Sequence, residues 1–247
     1  MNLHKTKGIV LRSVKYGETS VVVTIFTEAF GIQSYMVNGV RVQTKRSQSK
    51  INLFQPSAIL QMVVYRNELK NLQRIKESGW AHLYEHIFFD VIKNAVAMFI
   101  TELLLKCLKQ PETGGDLFEF AEDVLLHLDK SEEAEMANYP LFFAVHFATF
   151  LGLRIADNYS AINNVLDLQE GLFVAQRPDH RYFLETPYSL IVAQLLRIMQ
   201  PHELSQIKIN KEIRRFLLNG FQNYYALHIQ DFGTLRSLPV LQTVFSG

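Results

Sequence analysis

Four cationic side chains lie within ten residues of a polar segment, and no acidic residue lies among them. They are Arg41, Lys45, Arg46 and Lys50, in the stretch 38–50 with the sequence NGVRVQTKRSQSK. The stretch has no apolar period and Gly39 permits a turn, so the pattern predicts a mobile loop. A cationic loop beside a small barrel is typical of a groove that binds single-stranded nucleic acid without reading its sequence.

Positive charge is concentrated in the first third of the chain. Residues 1–80 hold 12 Lys or Arg against 4 Asp or Glu, a net charge of +8, whereas residues 81–247 hold 13 against 20, a net charge of −7. The near-neutral total of +1 therefore hides a basic module joined to an acidic one. A polyanion would bind the basic module by releasing its counterions. The alternative is a charged soluble surface whose two halves differ by chance.

Other residues of the basic module extend the predicted interface. The predicted nucleic-acid-binding residues are Arg12, Lys15, Arg41, Lys45, Arg46, Lys50, Arg66 and Tyr35. The cations would neutralise phosphates and the tyrosine would stack on a base. Lys5, Lys7, Lys70 and Arg74 add to the positive field. For the aromatic residue, a place in the hydrophobic core is the alternative.

A possible metal site follows the basic module. His82, Glu85 and His86 match the H-x-x-E-H pattern of some zinc peptidases. Two histidines four residues apart on a helix face the same side and can share a metal. No third ligand is indicated, and the aromatic neighbours suggest packing, so the alternative is a pair of surface histidines where a helix begins.

A second basic cluster lies near the end of the acidic module. The residues predicted to contact a protein partner are Lys211, Arg214, Arg215, Phe221 and Arg236. Cations around an apolar groove fit an acidic peptide with a hydrophobic end. The alternative is an amphipathic helix with a solvated basic face.

The elements that must position these residues change near residue 79. Short β-branched and aromatic runs predict strands at 8–11, 21–26, 33–37, 58–65 and 72–75, which suggests a small barrel. Helical periodicity then predicts helices at 84–108, 117–128 and 141–151. Two further helices are predicted from their caps, one beginning at Thr186-Pro187 with Thr186 as the N-cap and one from Asn210 to about 229. We expect an α+β chain with a barrel domain at 1–79 and a helical domain at 80–247, which carries an irregular insert at about 153–186.

Composition narrows the class of protein. The single Cys107 excludes an intrachain disulfide, and its apolar surroundings predict a buried, unreactive thiol. The apolar stretch 87–108 is interrupted by charged residues and is a poor match for a membrane span. The start of the chain has no apolar signal core. We therefore expect a soluble, cytoplasmic protein.

Several short motifs resemble the start of the RecO family of recombination mediators. They are Lys5-Thr6-Lys7-Gly8-Ile9-Val10-Leu11, Tyr16-Gly17-Glu18-Thr19-Ser20, Phe26-Thr27 and Phe30-Gly31, followed by Asn38-Gly39-Val40-Arg41. Their order and spacing are kept over about 60 residues. Later, Leu151-Gly152-Leu153 and Leu235-Arg236-Ser237-Leu238 resemble family segments only in outline. Asn38 stands where the family has a lysine.

The resemblance implies an N-terminal OB fold, a helical C-terminal domain and no enzymatic activity. It implies binding of single- and double-stranded DNA, annealing of complementary strands, and action with RecR at the nucleoid to replace single-stranded-DNA-binding protein (SSB) by the RecA recombinase. Docking of the SSB tail on the helical domain is implied for some members. Many members carry a four-cysteine zinc module that residues 153–186 lack, so we expect no metal or other cofactor.

Two other functions stay open on the sequence alone. One is a metal-dependent hydrolase built on His82, Glu85 and His86. The other is a protein-interaction adaptor whose basic face binds an acidic protein rather than DNA. Metal content distinguishes the first, and competition by single-stranded DNA distinguishes the second.

Overall fold

A computed structural model of the chain describes residues 2–40, 51–109 and 114–245. These residues group into two compact units. The barrel unit comprises Met1–Glu85 and Thr101–Leu126, and the helical unit comprises His86–Ile100 and His127–Gly247. The domain boundary after residue 79 stays a prediction.

Five strands form a closed barrel in the order β1-β2-β3-β5-β4. They are β1 (Asn2–Tyr16), β2 (Ser20–Thr27), β3 (Gly31–Val37), β4 (Ile59–Arg66) and β5 (Leu72–His82). All neighbouring pairs are antiparallel except β3 and β5, which are parallel. The predicted barrel is confirmed, and β1 and β5 extend beyond their predicted apolar runs into residues that are mostly exposed or half-buried.

Residues of the N-terminal motifs hold the barrel together. A Cβ on Gly8 would lie 2.5 Å from Ile25 Cγ2 and 2.6 Å from Met62 Cε, so only glycine lets β1 pack this closely. The buried Thr6 hydroxyl accepts a hydrogen bond from Ala29 N, and Thr27 Oγ1 accepts one from Phe30 N. These bonds fix the turn between β2 and β3, so this part of the motif is structural.

The helices follow the barrel. They are α1 (Val91–Cys107), α2 (Gly115–Lys130), α3 (Glu133–Met136), α4 (Tyr139–Phe150), α5 (Tyr188–Arg197), α6 (Lys211–His228) and α7 (Ser237–Val244), with a 3₁₀ helix at Pro201–Gln206. Helix α1 begins seven residues later than its apolar run because Asp90 Oδ1 caps it, accepting from Ile92 N and Lys93 N. The predicted Asn210 cap is confirmed, since Asn210 Oδ1 accepts from Ile213 N. The predicted Thr186 cap is wrong, because the residue at the cap position of α5 is Pro187.

Aromatic packing forms the core of the helical unit. Phe147 stacks on Phe143 and on Tyr225, with centroids 5.3 and 6.1 Å apart, and Tyr225 stacks on Phe232 at 5.7 Å. The Tyr225 hydroxyl donates to the Ala144 carbonyl at 2.7 Å, which ties α6 to α4.

The predicted irregular insert contains a three-stranded sheet of order β7-β6-β8. Its strands are β6 (Val165–Asp167), β7 (Leu172–Val174) and β8 (Phe183–Leu184). Leu166, Leu168 and Phe173 are buried, and Phe183 is half-buried. Hydrogen bonds add to this packing: the Asn158 amide donates to Phe173 O and accepts from Phe173 N, each at 2.9 Å.

Candidate nucleic-acid interface

Two rows of side chains cross the outer surface of the barrel. Strand register places the residues of each row side by side across β1, β2, β3 and β5. The first row is Arg12, Thr24, Ser34 and Leu72, and the second is Val14, Val22, Met36 and Arg74. We call these eight residues the outer face. All are exposed or half-buried, whereas Val23, Ile25 and Tyr35, of the opposite parity, are buried.

Three adjoining grooves run along the outer face and the turn between β4 and β5. Their volumes are ≈310, ≈470 and ≈580 Å³. Met36 and Arg74 line both the smallest and the largest groove, and Lys70 and Gln73 line both the smallest and the middle one. The smallest groove therefore adjoins both of the others. In OB folds, the face of strands 2 and 3 with this turn is where oligonucleotides bind.

A buried glutamine shapes the turn that carries Lys70. Gln73 is 6% exposed, and its Oε1 accepts from Asn67 N at 2.9 Å. Its Nε2 donates to the carbonyl of Asn67 at 2.8 Å and also to that of Lys70. Because one side chain satisfies three backbone groups, the turn is fixed and Lys70 is held beside the grooves.

Most cations of the barrel unit face solvent. Among the described residues, no acidic group lies within 4 Å of Lys5, Arg12, Lys15, Lys70 or Arg74, all of which are exposed. An exposed cation without an internal partner can bind a phosphate with little loss of existing bonds. This distribution suits a polyanionic ligand.

Arg66 is partly engaged by its neighbours. Its guanidinium lies over the Phe30 ring, 4.4 Å from the centroid, and within 3.6 Å of the exposed Glu68 carboxylate. The contact with Phe30 orients Arg66 along the ≈470 Å³ groove that it lines. The pair with Glu68 is solvent-exposed and therefore weak, so Arg66 can still contact a phosphate.

The structure corrects the predicted roles of two barrel residues. Tyr35 is 1% exposed, and burial raises the pKa of its hydroxyl. A base cannot stack on a ring inside the barrel, so Tyr35 is a core residue. Lys7 Nζ donates to Glu122 Oε2 at 2.7 Å, and this bond raises the pKa of Lys7. Lys7 is therefore left out of the interface.

The structure describes Lys15 but not the four cations of the predicted loop. Lys15 pairs with the buried Val21 and so has inward parity, but it lies near the end of β1 and is exposed there, beside the outer face. Arg41, Lys45, Arg46 and Lys50 lie outside the described residues. Their predicted contacts stay predictions.

In the helical unit, two of the predicted partner-binding residues have structural roles. Phe221 is 2% exposed. Arg214 donates to Asn138 Oδ1 at 3.2 Å and to Ile209 O at 2.8 Å, and burial lowers its pKa. Lys211, Arg215 and Arg236 are exposed.

Sequence reasoning missed a partly exposed aromatic pair beside this cluster, in which Phe216 is exposed and Tyr188 is half-buried. The rings of Tyr188 on α5 and Phe216 on α6 stack with centroids 4.0 Å apart, and Phe216 is 46% exposed. Phe216 directly follows Arg215, on the polar side of an amphipathic helix. A phenylalanine out of phase with the buried Leu217 and Phe221 was the signal available in the sequence.

The H-x-x-E-H residues do not lie on one helix. His82 ends β5, and Glu85 and His86 lie in the turn before α1. The spacing of four residues therefore does not place the two histidines on one face. Among the described residues, no group of three or more His, Cys, Asp or Glu side chains is arranged to hold a metal.

The structure also tests the predictions for the single cysteine and for the apolar helices. Cys107 is 8% exposed, and burial raises the pKa of its thiol to about 12, so the predicted unreactive thiol is confirmed. Within the described ranges, no helix combines the length and the apolar character that a membrane crossing requires.

Comparisons with known proteins cover both units. The family described as "Recombination protein O N terminal" matches residues 1–84, and "Recombination protein O C terminal" matches residues 89–239. A DNA repair protein RecO from Phocaeicola vulgatus is 32% identical over 244 residues, covering 99% of this chain and 100% of that protein. Proteins of the same name from Flavobacterium psychrophilum and Porphyromonas gingivalis are 31% and 28% identical, covering 98% and 97% of this chain and 99% and 98% of their own.

Proposed function

The chain belongs to the recombination protein O family, and on this premise we propose that it is a DNA-binding recombination mediator in DNA repair. It binds single strands on the outer face of the barrel and anneals complementary strands. It also helps the RecA recombinase to replace SSB on the DNA. The observation that carries the proposal is the grooved outer face, with Arg12 and Arg74 on it and Lys70 beside it, since none of these three cations has an ion-pair partner among the described residues.

Charge neutralisation explains how such a face promotes annealing. Two DNA strands repel each other through their phosphates, and each phosphate bound by a cation contributes less to that repulsion. Binding also releases counterions, which makes affinity depend steeply on salt. Positioning and charge neutralisation suffice for annealing, so we propose a non-enzymatic mediator and assign no hydrolytic role to His82, Glu85 and His86.

For the helical unit, we propose docking of the acidic SSB tail. The partly exposed aromatic pair of Tyr188 and Phe216, with Lys211 and Arg215 on the same helix as Phe216, fits a peptide with acidic residues and a hydrophobic end. RecR is the proposed second partner. The adaptor alternative predicts that single-stranded DNA competes with the acidic peptide, whereas separate sites predict no competition.

A strand-annealing assay on SSB-coated complementary oligonucleotides, with and without RecR, tests the proposal. The barrel triple variant carries Arg12→Gln, Lys70→Gln and Arg74→Gln. The matched helical triple variant carries Arg177→Gln, Arg181→Gln and Arg197→Gln and loses the same charge from exposed positions. We expect the wild type and the helical triple to anneal the strands and the barrel triple to be slower by about tenfold or more. Equal annealing by both variants would contradict the proposal.

A further inference from the structure

The two arginines of the outer face, Arg12 and Arg74, are members of the two rows of side chains that form this face. Arg12 begins the first row of side chains, and Arg74 ends the second. The remaining members are short or aliphatic: Thr24, Ser34, Val14, Val22, Met36 and Leu72. These six side chains form the floor of the outer face, and the two guanidinium groups lie on the same surface. A phosphate that binds the guanidinium groups therefore lies against this floor.

Most Phe, Tyr and Trp rings of residues 2–40 and 51–85 are buried in the core. Phe26, Phe30, Tyr35 and Phe54 are between 1% and 8% exposed. The Phe30 ring is also covered by the Arg66 guanidinium at 4.4 Å and met by the His4 ring at 5.2 Å. Tyr84 is 2% exposed, and its hydroxyl donates to Ser57 O. These rings stabilise the core and are not open to a base.

Among the described residues of β1–β5, three Tyr or Trp rings are not buried: Tyr16 is 58% exposed, and Tyr65 and Trp80 are half-buried. Tyr16 pairs with Ser20 where β1 turns into β2, at the end of the outer face, and Tyr65 pairs with Arg74 and lines the ≈580 Å³ groove beside that face. The segment 41–50 has no Phe, Tyr or Trp in its sequence, RVQTKRSQSK. Proteins that bind a single strand through its bases use aromatic stacking platforms. The outer face instead offers cations on an aliphatic and hydroxyl floor.

We propose that the outer face binds a single DNA strand by its sugar–phosphate backbone and leaves the bases turned outward. This inference rests on the proposed function and adds the orientation of the bound strand. Bases that face solvent are available to pair with a second strand, so the complementary strand need not displace protein side chains. The same face should therefore bind strands of any base composition equally.

Two ligands with the same number of phosphates test the orientation. One is an oligothymidylate of roughly 30 nucleotides, and the other is an abasic oligomer of the same length with the same label. A single stacked base typically raises affinity by about fivefold or more, so several stacked bases would give a large difference. We expect the full-length chain to bind both ligands with dissociation constants within about threefold and with the same salt dependence.

Permanganate oxidation of the bound oligothymidylate gives a second readout, because the reagent attacks exposed thymine bases. We expect the thymines to stay as reactive as in the free strand, within about twofold, for the wild type and for Tyr16→Leu. Abasic binding weaker by about tenfold, or strong protection of the thymines, would overturn the orientation while leaving DNA binding intact. Binding of neither ligand would overturn the proposed function and this inference together.

Discussion

The two units differ in where they bury charge: among the described residues, the buried charged side chains are Lys93, Asp129 and Asp167, and all three lie in the helical unit. In the helical unit, Asp129 is 1% exposed, and its Oδ1 accepts from His86 N at 2.9 Å and Ile87 N at 2.8 Å. Lys93 is 6% exposed and donates to the backbone carbonyl of Asp129 at 2.7 Å. In the barrel unit, Arg12 and Arg74 are exposed instead, with no ion-pair partner among the described residues.

The contrast shows that net charge and available charge are different quantities. Exposed arginines of the helical unit also have acidic partners: Arg177 contacts Glu185 at 2.7 Å, and Arg197 contacts Asp157 at 3.0 Å. The barrel unit also has ion pairs, between Lys7 and Glu122, Arg66 and Glu68, and Lys76 and Glu77. Charge that is already satisfied within the fold adds little to ligand binding, whereas unpaired charge on a grooved face can contribute fully.

The largest expected effect is the loss of Asp129 from the helical unit. Asp129→Ala leaves two backbone N–H groups without their acceptor, and we expect the free energy of unfolding to fall by roughly 2–4 kcal/mol. Asp129→Asn keeps an Oδ1 acceptor and should lose less than half as much. Urea denaturation measures both variants. Equal losses would show that the hydrogen bonds are not the reason for burying this carboxylate.

Removing exposed cations from the barrel should lower DNA affinity and leave the free energy of unfolding nearly unchanged. For the barrel triple variant, we expect single-strand affinity at low salt to fall on the order of a hundredfold, about 2.7 kcal/mol, with little change in stability. The slope of log affinity against log salt should become shallower by about 2, since each phosphate contact on a single strand contributes about 0.7. Fluorescence anisotropy across a salt series measures both quantities.

The helical triple variant is the control for that titration because it removes three positive charges from the other unit. Its affinity and its salt slope should match those of the wild type. If both triple variants lost the same affinity, DNA binding would depend on net charge, and the distinction between the units would fail.

A smaller effect is expected at the partly exposed aromatic pair. Phe216→Ala removes the ring that stacks on Tyr188, and we expect an acidic peptide with a hydrophobic end to bind about tenfold more weakly. DNA affinity should not change. Asn223→Ala, at an exposed position on the same helix, is the matched control. Calorimetry with a synthetic peptide measures the loss of affinity. Unchanged peptide affinity would contradict docking of the peptide at this surface.

The smallest effect is a pH dependence of stability from His146. A ring N–H of His146 donates to Leu195 O at 3.2 Å, and burial lowers the His146 pKa below its ordinary value of 6.5. The unfolded chain then binds a proton more readily than the folded chain, so stability should fall as the pH drops below about 6.5. His146→Gln should flatten this part of the profile in thermal unfolding. Identical profiles would assign the acid sensitivity to other groups.

Local sequence patterns predicted the barrel well because β-branched runs such as Val21–Phe26 are strong strand signals. The same patterns placed the start of α1 too early, because they counted buried apolar residues that are not helical. Tyr84 and Ile87 are 2% and 0% exposed, yet both precede α1. Periodicity cannot detect that Asp129, 42 residues away, accepts a hydrogen bond from Ile87 N and holds this turn.

The interface was predictable in its charge but not in its geometry. The sequence showed which residues are cationic, and Arg12 and Arg66 do lie at the outer face and its grooves. Whether a side chain points inward depends on strand register and on the irregularity between Val10 and Arg12, which no local pattern reveals. In β3, Tyr35 is paired with the buried Val23, and this register points its ring into the barrel.

Lysine footprinting tests the central claim most directly. The full-length chain is acetylated with and without a saturating single strand, and the rate at each lysine is read by mass spectrometry. We expect Lys70, beside the grooves, to be protected by about tenfold or more, while the exposed Lys130 and Lys208 of the helical unit react at their free rates. An unprotected Lys70 together with protection of Lys130 or Lys208 would contradict this claim.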